Sequence, residues 1–203
     1  RYDDDINRLF FDSLSSAKVH SIQLPMTDGE KISGSFDGWL VLENKLCCAM
    51  SILNPLTGVH IHLPTLPRYL WNDKNYPSLW RMAISSSSST SYKGCSIVVI
   101  PIQFNFLLAI RFSEDHKWTK LDNMSDYTDV IYFKESFYVI DRFARVSIFD
   151  SFLRKVTVIS TQGNLRYGAC QFAELSNELI VFKTKYVKNP SNHLQYALKR
   201  IYI

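Results

Sequence analysis

Glycine and proline are both scarce in these 203 residues, at seven each. None of the glycines stands in the GxGxxG or P-loop spacing that cradles phosphate, so nucleotide chemistry has no footing. Cysteine is scarcer still. Cys47, Cys48, Cys95 and Cys170 form no CxxC pair and two are adjacent, which argues against a zinc ribbon and against a disulfide framework. No stretch approaches the ~18 apolar residues of a membrane span, no cleavable secretory leader is visible, and no GxSxG elbow offers a nucleophile. Helical patterning is nearly missing as well. Only Asp4 to Leu14, with Ile6, Leu9, Phe10 and Leu14 at helical spacing, predicts a short N-terminal helix.

What is abundant is aromatic: 13 Phe, 11 Tyr and 4 Trp. Such side chains, with the β-branched ones around them, fit a half-buried pleated surface, so the expected class is all-β. With 46% hydrophobic and 21% charged residues the composition is that of a folded globular chain. The net charge of +4 is spread over 23 Lys and Arg interleaved with 19 Asp and Glu, which speaks against nucleic acid as a partner. The longest basic cluster, Lys183, Lys185 and Lys188, adjoins Asn189-Pro190-Ser191-Asn192 and reads as a solvated hairpin tip. Reduced cysteines suit an intracellular location, nuclear or cytoplasmic. The chain begins with Arg1 rather than Met, as a piece of a longer protein would.

Four apolar strand candidates open strand, turn, strand units. Gly38 to Leu42 leads into Cys47 to Leu53, and Ser96 to Ile100 leads into Phe106 to Ile110. Phe137 to Ile140 leads into Arg145 to Phe149, and Leu179 to Phe182 is followed by Tyr196 to Ile203. Counted from Gly38, Ser96, Ser136 and Glu178, the units recur 58, 40 and 42 residues apart. A propeller blade takes roughly 40 to 50 residues, so two of the three intervals fit radial repetition. Further alternating segments, Ile61 to Leu63, Trp118 to Leu121 and Lys155 to Ile159, are placed as outer blade strands. The expected fold is a β-propeller, partial, with about four blades in one domain over residues 1–203. Residues 1–30 are a lead-in, and residues 67–93 are a long Ser-rich connection between blades.

Two turns carry a mechanism. Asp37-Gly38 suits a tight reversal in which the glycine takes a positive φ, after which Trp39 offers a large packing surface. Asn54-Pro55-Leu56-Thr57-Gly58 combines an Asn able to bond the backbone two residues on, a proline that sets φ, and a closing glycine.

The run Gly34-Ser35-Phe36-Asp37-Gly38-Trp39-Leu40-Val41-Leu42 is followed by Leu53-Asn54-Pro55-Leu56-Thr57-Gly58 and by Leu63-Pro64-Thr65-Leu66-Pro67. Later come Lys117-Trp118-Thr119, Asp129 to Lys134, Phe137 to Asp141 and Arg145 to Asp150. Together and in this order they resemble the plant F-box-associated β-propeller family of KIB type. The resemblance implies a protein-binding propeller that selects the substrate of an SCF-type ubiquitin ligase. The Skp-type adaptor and cullin would be reached only through an F-box outside these residues. An alternative is a stand-alone propeller-like binding protein without a ligase role. An enzyme with a site at the central channel is the remaining class.

No residue stands out as catalytic, cofactor-binding or metal-ligating. His60 and His62 would share one strand face, but two ligands do not make a metal site. The expected partner is a protein. Its candidate contacts lie in the aromatic and basic run Pro67 to Tyr76, at Arg68, Tyr69, Trp71 and Tyr76, because Trp, Tyr and Arg most often anchor interfaces. The alternative for Tyr69 and Trp71 is that they fold back onto the first blade. No membrane contact is expected.

Overall fold

The structure is a computed structural model that describes residues 7–13, 17–44, 49–66, 79–85, 95–101, 107–111, 117–122, 126–160, 170–185 and 195–199. It divides into two compact units, Arg1–Thr65 with Ser88–Ser91, and Leu66–Ser87 with Tyr92–Ile203. Every regular element among the described residues is a strand, and every pairing is antiparallel.

The first unit holds a hairpin of β1 (Arg8–Ser13) and β2 (Lys18–Gln23) and a four-stranded meander. The meander runs β3 (Glu30–Phe36), β4 (Trp39–Asn44), β5 (Ala49–Leu53) and β6 (His60–Leu63), in that spatial order. β1 corrects the expectation of a helix over Asp4 to Leu14. The apolar spacing there is compatible with either element, and register pairing from Arg8 opposite Gln23 to Ser13 opposite Lys18 decides for the strand. Leu40, Leu42 and Leu53 bury together with Leu24, and Leu9, Ile22 and Met26 pack on them, so the hairpin shares the core of the meander.

The second unit contains two more four-stranded meanders. One is β7 (Leu79–Ile84), β8 (Ser96–Pro101), β9 (Leu107–Arg111) and β10 (Thr119–Asp122). The next is β11 (Tyr127–Phe133), β12 (Ser136–Asp141), β13 (Arg145–Asp150) and β14 (Lys155–Ser160). A three-stranded sheet of β15 (Cys170–Leu175), β16 (Glu178–Lys185) and β17 (Gln195–Lys199) follows. β7 lies inside residues 67–93, the stretch expected to be a connection, while residues 86–94 are outside the described part.

The four apolar segments found in the sequence are β4, β8, β12 and β16. Each is the second strand of its sheet, not the opening one as expected. The reason is burial. A second strand has paired neighbours on both sides and packed side chains on both faces, so it reads as a continuous apolar run; β8 is buried at all six positions. First strands are more polar and hide from such a search. In the second unit the first strands β7, β11 and β15 lie side by side. Ala83, Val98, Val130, Phe137, Val139 and Phe149 fill the space between the β7–β10 and β11–β14 sheets. Ile140, Val146, Ile148, Cys170 and Val181 fill the space between β11–β14 and β15–β17. Each fully buried side chain of this size contributes roughly 1.5–3 kcal/mol, so these layers hold the sheets face to face.

The first hairpin of three sheets turns on two residues that both have positive φ: Asp37-Gly38 at 43° and 79°, Lys134-Glu135 at 44° and 61°, and Ser176-Asn177 at 51° and 63°. This is the tight turn whose twist matches that of the strands it joins. The expected Asp37-Gly38 turn is one of the three. Trp39 beyond it is buried.

Candidate interaction surface

Local turn chemistry builds two copies of one structure on the β11–β14 sheet. Between β12 and β13, Asp141 Oδ1 accepts the backbone N–H groups of Phe143 at 2.8 Å and Arg145 at 2.9 Å, while Oδ2 takes Arg145 Nε at 2.6 Å. Ala144 N–H donates to Asp141 O and Ala144 sits at φ 61°. Between β13 and β14, Asp150 Oδ1 accepts from Phe152 at 3.0 Å and Arg154 at 2.9 Å, and Oδ2 takes Arg154 Nε at 2.7 Å. Leu153 donates to Asp150 O and sits at φ 65°. Both are three-residue hairpin loops closed by a residue in the left-handed region, with an aspartate tying down the backbone that a turn leaves unpaired.

The consequence is an exposed phenylalanine on a fixed backbone at each end of the sheet. Phe143 is 52% exposed and Phe152 55% exposed. Guanidinium groups flank each ring: Arg142 at 5.0 Å and Arg145 at 5.4 Å from Phe143, Arg111 at 4.5 Å and Arg154 at 5.4 Å from Phe152. Arg142 is itself held by Asp126, Nη2 to Oδ2 at 2.6 Å. Burial tends to raise the Asp150 carboxyl, but the N–H groups and charge of Arg154 and the N–H of Phe152 outweigh it and hold the group below the usual carboxylate range.

The sheets are also tied through their first strands. Asp129 of β11 accepts the N–H of Phe172 of β15 at 2.7 Å and lies 3.1 Å from Arg81 Nε of β7. Thr128 Oγ1 donates to Cys170 O at 2.7 Å. Burial pushes the Asp129 carboxyl up against the pull of the Phe172 N–H and of Arg81. In the first unit His60 and His62 share a face as expected, with ring centroids 4.7 Å apart, and His60 Nε2 is 2.7 Å from Ser51 Oγ. Ser51 Oγ is 3.4 Å from Glu30 Oε1. Burial and the neighbouring His62 lower the His60 pKa, against the opposing effect of Glu30. Among the described residues no group of three or more His, Cys, Asp or Glu is placed to hold a metal ion. Nor is any helix among them long and apolar enough to cross a membrane.

Arg68, Tyr69, Trp71 and Tyr76, expected as partner contacts, lie outside the described residues. The surface that is described, around Phe143 and Phe152, escaped the sequence search. Its signal was there: Asp-X-Phe-X-Arg occurs at Asp141 to Arg145 and again at Asp150 to Arg154.

Antiparallel four-stranded meanders whose first strands gather side by side are the blades of a β-propeller, so the class is an all-β propeller-type module. A KIB1-4 beta-propeller family model matches residues 10–198, and the chain belongs to that family. No curated protein sequence matches it. Among solved structures it is similar to BamB from Moraxella catarrhalis, at 11% identity and TM-score 0.44, covering 88% of this chain and 49% of that one. It is also similar to BBS1N in complex with ARL6DN, at 13% identity and TM-score 0.47, covering 90% and 63%. For YCF48 bound to D1 peptide the values are 11% and 0.45, covering 81% and 51%. The chain thus spans about half to under two thirds of the length of these structures.

Proposed function

We propose that this chain is a protein-binding propeller module without catalytic activity of its own, and that it is the substrate-recognition part of a plant F-box protein in an SCF-type ubiquitin ligase. Residues 1–203 then belong to one propeller-type domain, acting inside the cell, nuclear or cytoplasmic. The single observation that carries protein binding is the pair of exposed phenylalanines, Phe143 and Phe152, each on a turn fixed by an aspartate and each flanked by two arginines. Aromatic and arginine side chains held in place lose little freedom on binding, which is why they dominate interface energetics. Arg68, Tyr69, Trp71 and Tyr76 are proposed as further contacts on the same grounds of residue type. Motifs between residues 34 and 150 that resemble F-box-associated propellers support the ligase role. The Skp-type adaptor and cullin would be engaged by an F-box elsewhere in the parent protein.

The test is affinity capture from plant extract with the full-length parent and with this 203-residue chain, read by mass spectrometry. Ligase subunits with the parent only, and one target common to both baits, are the expected result. A shared target that is lost on Phe143→Ala or Phe152→Ala places recognition on these turns. Recovery of a target without any ligase subunit, even by the parent, sinks the ligase role and leaves a stand-alone binding module.

A further inference from the structure

Three arginines of the second unit reach solvent while the carboxylates that hold them do not. The side chains of Arg81, Arg142 and Arg145 are 39%, 47% and 38% exposed, and those of their partners Asp129, Asp126 and Asp141 are 11%, 18% and 2% exposed. Strand register gathers the three pairs at one end of the β11–β14 sheet. Asp126 immediately precedes β11, Asp141 closes β12 opposite Tyr127, and Asp129, across the bulge at Thr128, lies opposite Ile140. Arg142 and Arg145 sit at the reversal from β12 into β13, and their guanidiniums flank the exposed ring of Phe143 at 5.0 and 5.4 Å. Arg81 comes to this end from β7, which lies beside β11. Among the described residues, the reversals at the other end of the sheet carry a single such pair, Asp150 with Arg154.

Formally the charges of these pairs cancel. The surface nonetheless presents the guanidinium side of each, because the carboxylate is the buried partner. An aspartate already in place fixes each fork, so little side-chain freedom is left to lose when a second carboxylate docks on it. The cancelled charge provides no strong field for a polyphosphate chain, whose binding rests on many phosphates neutralised at once. It suits a ligand that meets planar forks one by one, as carboxylates do. Phe143, between two of the forks, adds an apolar contact. An extended acidic segment with an apolar side chain among its carboxylates matches both features.

Resting on the reading of this chain as a protein-binding module, we propose that Arg81, Arg142, Phe143 and Arg145 form a recognition face for an acidic segment of the partner protein, with an apolar side chain seated on Phe143. The probe is a fluorescein-labelled peptide pool with Phe at its centre and Glu or Asp at every flanking position, read by anisotropy. A second pool carries Gln and Asn in place of the acids. Only the acidic pool is expected to bind. Arg142→Lys keeps a charge beside Asp126 but loses the planar fork, and it is expected to weaken binding about tenfold with unchanged melting. Phe143→Ala is expected to do the same. In NMR of the unmodified chain, which needs no variant, the Nε–Hε signals of Arg81 and Arg145 are expected to move with the acidic pool. The signal of Arg8, which donates to Gln23 in the first hairpin, is expected to stay. Equal binding of the two pools overturns the proposal. So do shifts at Arg8 or Arg154 as large as at Arg81, or displacement of the peptides by single-stranded oligothymidylate at lower concentration than by unlabelled acidic pool. A target captured from extract that is indifferent to Arg142→Lys and to added acidic peptide sinks this face and leaves the protein-binding reading in place.

Discussion

Asp129 of β11 accepts the backbone N–H of Phe172 of β15 at 2.7 Å, which ties the first strands of adjacent sheets by a side chain rather than by strand pairing. Its other oxygen lies 3.1 Å from Arg81 of β7, so one carboxylate spans three sheets. Asp129→Ala leaves the Phe172 N–H without this acceptor and is expected to cost about 1–3 kcal/mol in urea denaturation. The pH dependence is more specific. Burial raises this carboxyl above its ordinary 3.8, so the stability it contributes is full below that value and is lost as pH rises through the folded one. Asp129→Asn keeps an acceptor for Phe172 but does not titrate. The stability of the variant relative to the original chain is therefore expected to rise with pH above about 4, and parallel curves would refute the assignment.

The histidine pair has the opposite sign. Burial and His62 lower the His60 pKa from 6.5, so the stability tied to neutral His60 is present above that value and is lost as pH falls through the folded one. His62→Gln removes the neighbouring charge and is expected to raise the His60 pKa, followed by the imidazole proton shifts in NMR. An unmoved titration would mean that His62 does not act on His60.

Lys134 and Glu135 occupy a turn with positive φ at both positions, 44° and 61°, where Cβ crowds the backbone. Replacing the pair with Asn-Gly is expected to stabilise the chain by about 1 kcal/mol. Thermal melting gives the answer, and a loss of stability would mean that these side chains do more than close the turn.

Phe143 and Asp141 share a loop but should separate cleanly by experiment. Phe143→Ala removes an exposed ring and is expected to shift stability by no more than about 0.5 kcal/mol while weakening partner capture. Asp141→Ala deletes two backbone hydrogen bonds and the tie to Arg145, and is expected to cost about 1–2 kcal/mol. If Phe143→Ala destabilised the chain as much as Asp141→Ala, the ring would be a packing element and not a contact.

Much of the strand inventory was legible in the sequence because central strands buried on both faces leave long apolar runs, as at Ser96–Pro101. The outer strands at His60–Leu63, Thr119–Asp122 and Lys155–Ser160 were legible by alternation, and the reversals at Asp37-Gly38 and Asn54 to Gly58 by turn chemistry. Asn54 Oδ1 does accept the N–H groups of Leu56 and Thr57, at 3.0 and 3.1 Å. The first strands Glu30–Phe36, Leu79–Ile84 and Cys170–Leu175 were not legible, because they mix polar with apolar residues and carry no period that distinguishes them from loop. Arg8–Ser13 was misread as helical because a short apolar spacing serves both elements until a pairing partner is known.

By itself the sequence determined the all-β class, the blade-length repeat and the turns that close the first and third hairpins of the β3–β6 sheet. These depend on neighbours within a few residues, where side-chain type and backbone preference act directly. Tertiary structure decided which strands of the second unit lie side by side, which carboxylate joins three sheets, and which phenylalanines remain in solvent. Asp129 and Phe172 are 43 residues apart, and Phe137 is covered in the core of the second unit while Phe143 stands in solvent. Long-range pairing, and which of several exposed-looking side chains a neighbouring sheet covers, are properties of the packed chain rather than of residues close in sequence.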